Sequence, residues 1–290
     1  MWSDLEHYIS TASQRAFRLA EYHPVSGGCI NQGYRLEGSD GSRWFVKLNR
    51  TSDLAMFEAE ALALRRMAAT QTIRVPQPLC SGIAGNQAFL VLEWLDLGGH
   101  DSQAWQEMGC QLAQMHRRAL SSQGYGWDRN NTIGSTPQIN DWSDNWSEFW
   151  GDRRLGYQFK LAQLNGGQFA AAEALLQRLP RLLAGHTPQP SLVHGDLWSG
   201  NAAISREGIP VILDPASYYG DREVDLAMTE LFGGFAPSFY TGYQSVWPLD
   251  PGYEQRKPLY NLYHVLNHFN LFGGSYANQA ERLIRQILRD

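Results

Sequence analysis

Apolar positions along the chain alternate between short runs suited to strands and longer stripes at helical spacing. Leu5, Ile9, Ala12, Ala16 and Leu19 keep a helical period, and Ser3 and Glu6 have capping-box spacing, so the pattern predicts a helix over Ser3–Leu19. Val25 to Gly33 joins two strands. Tyr34 to Glu37 then turns through Gly38-Ser-Asp-Gly41 into a third strand, Arg43 to Leu48. Phe57, Ala61, Leu64 and Ala68 stripe a helix over Asp53–Ala69, and Leu79–Ile83 with Ala88–Trp94 read as a hairpin around Gly85-Asn86. Leu95 to Gly99 breaks the regularity, and the chain beyond it is mostly helical. Trp105, Met108, Leu112, Met115 and Ala119 mark one helix, and others fall near 145–164, 168–183 and Glu254–Phe272. Gly124 to Trp142 has no period and reads as a long ordered loop, a kind of segment that is often functional. Leu192-Val193 and Ile209 to Leu213 are short apolar strands with Glu207-Gly208 as the turn between them. The expected architecture is α+β in two lobes: residues 1–95 with an antiparallel sheet and a helix, and 96–290, larger and mainly helical.

Composition changes this picture little. The chain has 290 residues, 18% of them charged, and a formal charge of −5, which argues against a nucleic-acid binder working through a basic surface. No run approaches the roughly 18 apolar residues of a membrane span, and the amino terminus lacks the basic-then-apolar pattern of a leader. A membrane partner is therefore not expected, and the cytosol is the expected compartment. Cys29, Cys80 and Cys110 are odd in number and far apart, which fits neither a disulfide framework nor a CxxC zinc site.

Chemistry concentrates in Ser191–Pro215, SLVHGDLWSGNAAISREGIPVILDP. Phosphoryl transfer from ATP depends on positioning and charge neutralisation more than on covalent work by the protein. Asp196 is placed to accept the proton of an attacking hydroxyl. Asn201 offers a neutral oxygen, and Asp214 a carboxylate, to Mg²⁺, a hard cation that suits oxygen ligands. Lys47 on the third strand would contact phosphates, paired with Glu60 or Glu58 on the following helix. Gly28, Cys29, Ile30 and Asn31 lie in a glycine-bearing turn whose backbone N–H groups could approach phosphate oxygens. Glu93 to Leu95 would offer backbone groups to an adenine edge. Taken singly, each feature has a plain alternative: a tight turn, a solvated helix face, a linker, a strand terminator. The combination in this order favours a kinase.

The order glycine hairpin, Val46-Lys47, Glu60, His194-Gly-Asp196, Asn201, Asp214 resembles the protein-kinase-like superfamily, in its aminoglycoside-phosphotransferase-like branch. GCINQG (Gly28–Gly33), FVKLNR (Phe45–Arg50), MFEAE (Met56–Glu60), HGDLWSGN (His194–Asn201), DPASYYG (Asp214–Gly220) and FGGF (Phe232–Phe235) are similar to the fructosamine kinase, or ketosamine-3-kinase, family. The resemblance implies a bilobal protein-kinase-like fold and ATP-dependent phosphorylation of the C3 hydroxyl of a ketosamine, free or protein-bound, followed by loss of the phosphate and release of the amine. It also implies the base role of Asp196, metal ligation by Asn201 and Asp214, the phosphate-positioning pair Lys47–Glu60, and a tie from Asp225 to the catalytic loop. Trp198, Asn267 and His268 are implied at the acceptor site. His194-Gly195-Asp196 lacks the Arg of regulated protein kinases, Asp214 is followed by Pro-Ala instead of Phe-Gly, and no APE-like signal follows, so constitutive activity is expected. Cys29 could form a reversible disulfide between chains. A kinase of another hydroxylated amine, such as an aminoglycoside or choline, and a catalytically silent nucleotide-binding module stay open as alternatives.

Overall fold

The structure, a computed structural model, describes residues 1–25, 30–99 and 101–289. Gly28 and Cys29, with the redox reading of that thiol, lie outside the described residues. The amino-terminal part is a five-stranded antiparallel sheet in the order β1-β2-β3-β5-β4, made of β1 (Leu19–Val25), β2 (Gln32–Gly38), β3 (Arg43–Arg50), β4 (Pro78–Ala84) and β5 (Gln87–Glu93). Strand β5 shows how the sheet is buried on both faces. Ala88, Leu90 and Leu92 enter the large core, while Phe89 and Val91 enter a smaller one on the opposite face. A continuous apolar run with period-two sorting is what such a strand requires.

Helix α1 (Trp2–Ser13) covers the smaller core with Leu5 and Ile9. It is shorter than its apolar period suggests: Gln14 turns left-handed at φ +56°, and Leu19 already belongs to β1. The capping box does not form either. No side chain caps the helix, and Glu6 Oε1 instead accepts the N–H of Leu19 at 2.7 Å. Pairing of Leu19–Val25 with β2 outweighs a weak helical preference, as tertiary contacts commonly do.

The inner face of the sheet receives α2 (Leu54–Ala69), whose Phe57, Ala61, Leu64 and Met67 are fully buried. These residues join a core continuous with the helical part. That part contains α3 (Ser102–Arg118), α4 (Trp146–Glu148), a π-helical stretch (Phe149–Gly156), α5 (Tyr157–Leu164), α6 (Ala172–Leu182), α7 (Glu223–Leu231), α8 (Pro237–Val246), α9 (Tyr253–Phe272) and α10 (Tyr276–Arg289). Asp101 caps α3 by accepting the N–H of Gln103 at 2.8 Å.

Three two-stranded pieces decorate this helical body. β6 (Asn131–Ile133) and β7 (Thr136–Gln138) form a hairpin inside the segment expected to be a long ordered loop. β8 (Ser191–Val193) pairs with β11 (Tyr218–Gly220), and β9 (Ala202–Ile204) pairs with β10 (Pro210–Ile212). The strands at Leu192 and Ile209 therefore do not pair with each other as their sequence suggested. Ala202–Ile204 intervenes and takes β10 as its partner, bending residues 191–215 into two ladders.

Candidate active site

Alternation along β3 decides where Lys47 points. Val46 and Leu48 face the smaller core, so Lys47 faces inward with Phe45, toward α2. Its Nζ lies 2.7 Å from Glu60 Oε1 and 2.6 Å from Asp214 Oδ1, and the side chain is 6% exposed. Burial alone would lower the pKa of Lys47, but the Asp214 and Glu60 carboxylates outweigh it and raise the pKa above the usual lysine value. Of the two acids on α2, Glu60 is buried against Lys47, whereas Glu58 is half-exposed and reaches Arg129 at 3.5 Å.

The loop that carries Asp196 is built on α7. Asp225 Oδ2 accepts the N–H of His194 at 2.7 Å and Oδ1 that of Gly195 at 2.8 Å. His116 of α3 adds a third contact to Oδ2 at 3.0 Å. Although burial opposes its ionisation, the hydrogen bond and charge of His116 hold the Asp225 carboxyl below the usual range. His194 is neutral with its proton on Nε2: that nitrogen donates to Leu213 O at 2.7 Å, and Nδ1 accepts the N–H of Asp196 at 3.3 Å. Burial drives its pKa down accordingly.

Asp196 and Asn201 are joined directly. The Asn201 amide donates to Asp196 O at 2.8 Å and to Asp196 Oδ2 at 3.3 Å, which leaves its Oδ1 for a cation. Burial, reinforced by the charge of Asp214, pushes the Asp196 carboxyl up to about 7 against the opposing Asn201 hydrogen bond. A carboxylate poised there is suited to proton abstraction near neutral pH. Asp214 follows β10 with φ +54°, a left-handed conformation unusual outside glycine. Its flanks are tied to the catalytic loop, Leu213 N–H to Asn201 O at 2.8 Å and Ala216 N–H to His194 O at 2.9 Å. The donor atoms of Asn201 and Asp214 are hard oxygens, and this set fits Mg²⁺ better than zinc.

Ile30 and Asn31 neighbour β3, with the Asn49 side chain donating to Ile30 O at 3.4 Å and to Asn31 Oδ1 at 2.7 Å. The Glu93 carboxylate is taken by Arg74 and by the N–H of Gln77. Among the described residues, Leu95 makes no backbone–backbone hydrogen bond, so both of its peptide groups are open. Just beyond it the linker is fastened to the β9–β10 hairpin: Gly98 and Gly99 N–H groups each reach Ile204 O at 3.0 Å, and Arg206 N–H reaches Asp96 O at 2.8 Å. Trp198 is 39% exposed beside Asp196, and its ring lies over Gly200, where a Cβ would meet it at 2.4 Å. Asn267 and His268 are engaged elsewhere. Asn267 bonds Gln158 at 3.3 Å and Ile133 O at 3.4 Å, and His268 packs on Phe232 with ring centroids 4.7 Å apart.

Residues that sequence reasoning missed hold this centre from behind. His116, Asn131, Gln138 and Arg154 carry no spacing that marks them. Arg154 is fully buried in the π-helical stretch, with its guanidinium 4.0 Å from the Tyr218 ring centroid and Nη2 donating to Asn140 Oδ1 at 2.8 Å. The arrangement as a whole can orient a triphosphate, hold one or more divalent cations and deprotonate a hydroxyl.

Comparison with known proteins gives a consistent result. The family model for fructosamine kinase matches residues 1–290. A Synechocystis protein named as a ketoamine kinase is 54% identical over 288 residues, covering 99% of this chain and 97% of its own. The chloroplastic protein-ribulosamine 3-kinase of Arabidopsis thaliana is 46% identical over 280 residues, covering 95% of this chain and 85% of its own. A crystal structure from Haemophilus somnus, whose name places it among the fructosamine-3-kinases, superposes with a TM-score of 0.93 at 30% identity, covering 99% of this chain and 98% of its own.

Proposed function

The chain belongs to the fructosamine kinase family, and from that premise we propose that it transfers the γ-phosphoryl group of ATP to the C3 hydroxyl of a ketosamine. The observation that carries this reading is the convergence of Lys47, Glu60 and Asp214 within hydrogen-bond distance, with Asn201 bonded to Asp196 beside them. Asp196 takes the hydroxyl proton, and its elevated pKa matches it to that task near pH 7. Asn201 and Asp214 would hold Mg²⁺, which neutralises charge on the phosphates when bound. Lys47, aimed by Glu60, binds phosphate oxygens, and the open peptide groups at Leu95 receive the adenine edge.

The acceptor class gives the reaction its purpose. A ketosamine carries its ketone at C2, next to the C3 hydroxyl. Once C3 is phosphorylated, enolisation toward C1 expels inorganic phosphate, and hydrolysis then frees the amine. Trp198, half-open beside the base, provides an apolar platform for the sugar. Among the described residues no helix is long and apolar enough to cross a membrane, and the cytosol is the compartment proposed. The match to a protein-ribulosamine 3-kinase favours a pentose-derived acceptor.

The test is ADP release with ribulose-lysine, fructose-lysine, an aminoglycoside and choline, run beside Asp196→Asn. Turnover of ribulose-lysine above fructose-lysine is expected, with little for the other two. Turnover of only the aminoglycoside or choline would reject the ketosamine reading, and an inactive wild type would favour a silent nucleotide-binding module.

A further inference from the structure

Lys47 has two acidic partners from distant elements, and one segment, residues 125–142, contacts the stretches of chain that carry both. On the α2 side, Arg66 bonds Asp128 at 2.8 Å and lies 5.8 Å from the Trp127 ring centroid, while Arg129 reaches Glu58, two residues from Glu60. On the other side, two buried amides hold the residues that follow Asp214, and a third, Asn140, supports them. Asn131 Nδ2 donates to Ser217 O at 2.9 Å, and Gln138 Nε2 donates to Ala216 O at 2.9 Å. The remaining amide groups satisfy one another: Asn131 Oδ1 accepts from Gln138 and from Asn140, and Gln138 Oε1 accepts the hydroxyl proton of Tyr263 at 2.7 Å. A fully paired network of this kind fixes direction as well as distance. The backbone joins in, with Gly126 and Tyr219 exchanging hydrogen bonds of 3.0 and 2.8 Å.

The contact points are close to the chemistry. Ala216 O is backed against Gly195, where a Cβ would come within 2.2 Å of it, so moving Ala216 moves the residue before Asp196. Asp214 is held in a left-handed conformation, which is uncommon for a residue with a Cβ and which its surroundings help to impose. The tip of the hairpin reaches the nucleotide side as well, since a Cβ on Gly134 would lie 4.0 Å from Ile30 Cδ1.

We propose that residues 125–142 are a built-in strut and that Gln138 and Asn131 are positioning residues for Asp214, fixing its carboxylate for the metal. This role rests on the reading of Asp214 as a metal ligand. The strut does permanently what a phosphorylated activation loop does in regulated protein kinases.

The experiment measures Mn²⁺ affinity in the presence of AMP-PNP by EPR, alongside steady-state kinetics and thermal unfolding. Gln138→Met keeps the side-chain volume and removes both amide donors, and Asn131→Ser, which removes the donor to Ser217 O, is read in the same way should Gln138→Met not fold. Ile284→Val, in the buried face of α10, is the control for simple destabilisation, and Asp214→Asn tests the premise. The expected result is an Mn²⁺ affinity 10–100-fold weaker in the strut variants, the range usual for partners of metal ligands. Alongside it, the KM for the ketosamine stays within about twofold, and Ile284→Val keeps its Mn²⁺ affinity. Wild-type Mn²⁺ affinity in Gln138→Met together with a lowered unfolding midpoint like that of Ile284→Val would overturn the positioning role. Unchanged affinity in Asp214→Asn would overturn the metal reading and the strut role with it.

Discussion

At the scale of single residues, Asp196 carries opposed demands. Its folded pKa is raised to about 7 by burial and by Asp214, whereas in the unfolded chain it titrates near 3.9. The native state therefore holds the proton more tightly, and stability contributed by this group is lost as pH rises from about 4 to about 7. Asp196→Asn removes that cost. At pH 8 the variant should be more stable than wild type by up to about 4 kcal/mol, the gap shrinking as pH falls toward 5, which denaturant titrations at both pH values measure. The same change should lower kcat by about 10²–10⁴-fold. In the wild type, kcat/KM should rise with pH as Asp196 ionises. Mg²⁺ held as proposed by Asn201 and Asp214 would offset the Asp214 charge that helps hold the pKa up, so raising free Mg²⁺ should move the acidic limb to lower pH.

At the scale of elements, the close crossing of α3 and α8 is the most exacting contact. A Cβ on Gly109 would lie 2.0 Å from Phe239 O, and one on Gly242 would lie 1.9 Å from Gln106 O. Gly109→Ala or Gly242→Ala should force the helices apart and destabilise the protein by about 1–3 kcal/mol or more, read as a lowered unfolding midpoint. His116 projects from α3 to Asp225, so the same variants should also lose kcat. Much of the element layout was legible in the sequence, because the sheet strands and α2, α3 and α9 have strong periods and clear punctuation. The errors have physical causes. Leu19 fits a helical stripe but gains a ladder with β2. The strands of 131–138, three residues each, are too short to carry an alternation. At the site, Lys47, Glu60, Asp196, Asn201 and Asp214 were visible because they sit in compact motifs. Gln138 and His116 were not, since their partners Ala216 and Asp225 lie 78 and 109 residues away and an amide or imidazole carries no pattern of its own.

For the whole molecule, the decisive fact is that α2 and the inner sheet face share one apolar core with the helices around Trp150 and Tyr260. The sheet-bearing part therefore lacks a sufficient core of its own, and its private cluster amounts to the α1 side of the sheet. Thermal unfolding in the absence of nucleotide should give one transition with matching calorimetric and van't Hoff enthalpies, and two resolved peaks would contradict this. Trp198 offers a way to watch the catalytic loop within that single unit. Of the ten tryptophans, all of them among the described residues, it is the most exposed, six others being partly so. The red edge of the protein's intrinsic emission, and the fraction quenched by acrylamide, should therefore include an indole two residues past Asp196, whose share the difference between wild type and Trp198→Phe isolates. The active site thus carries its own optical probe, and acceptor binding can be followed without label or turnover.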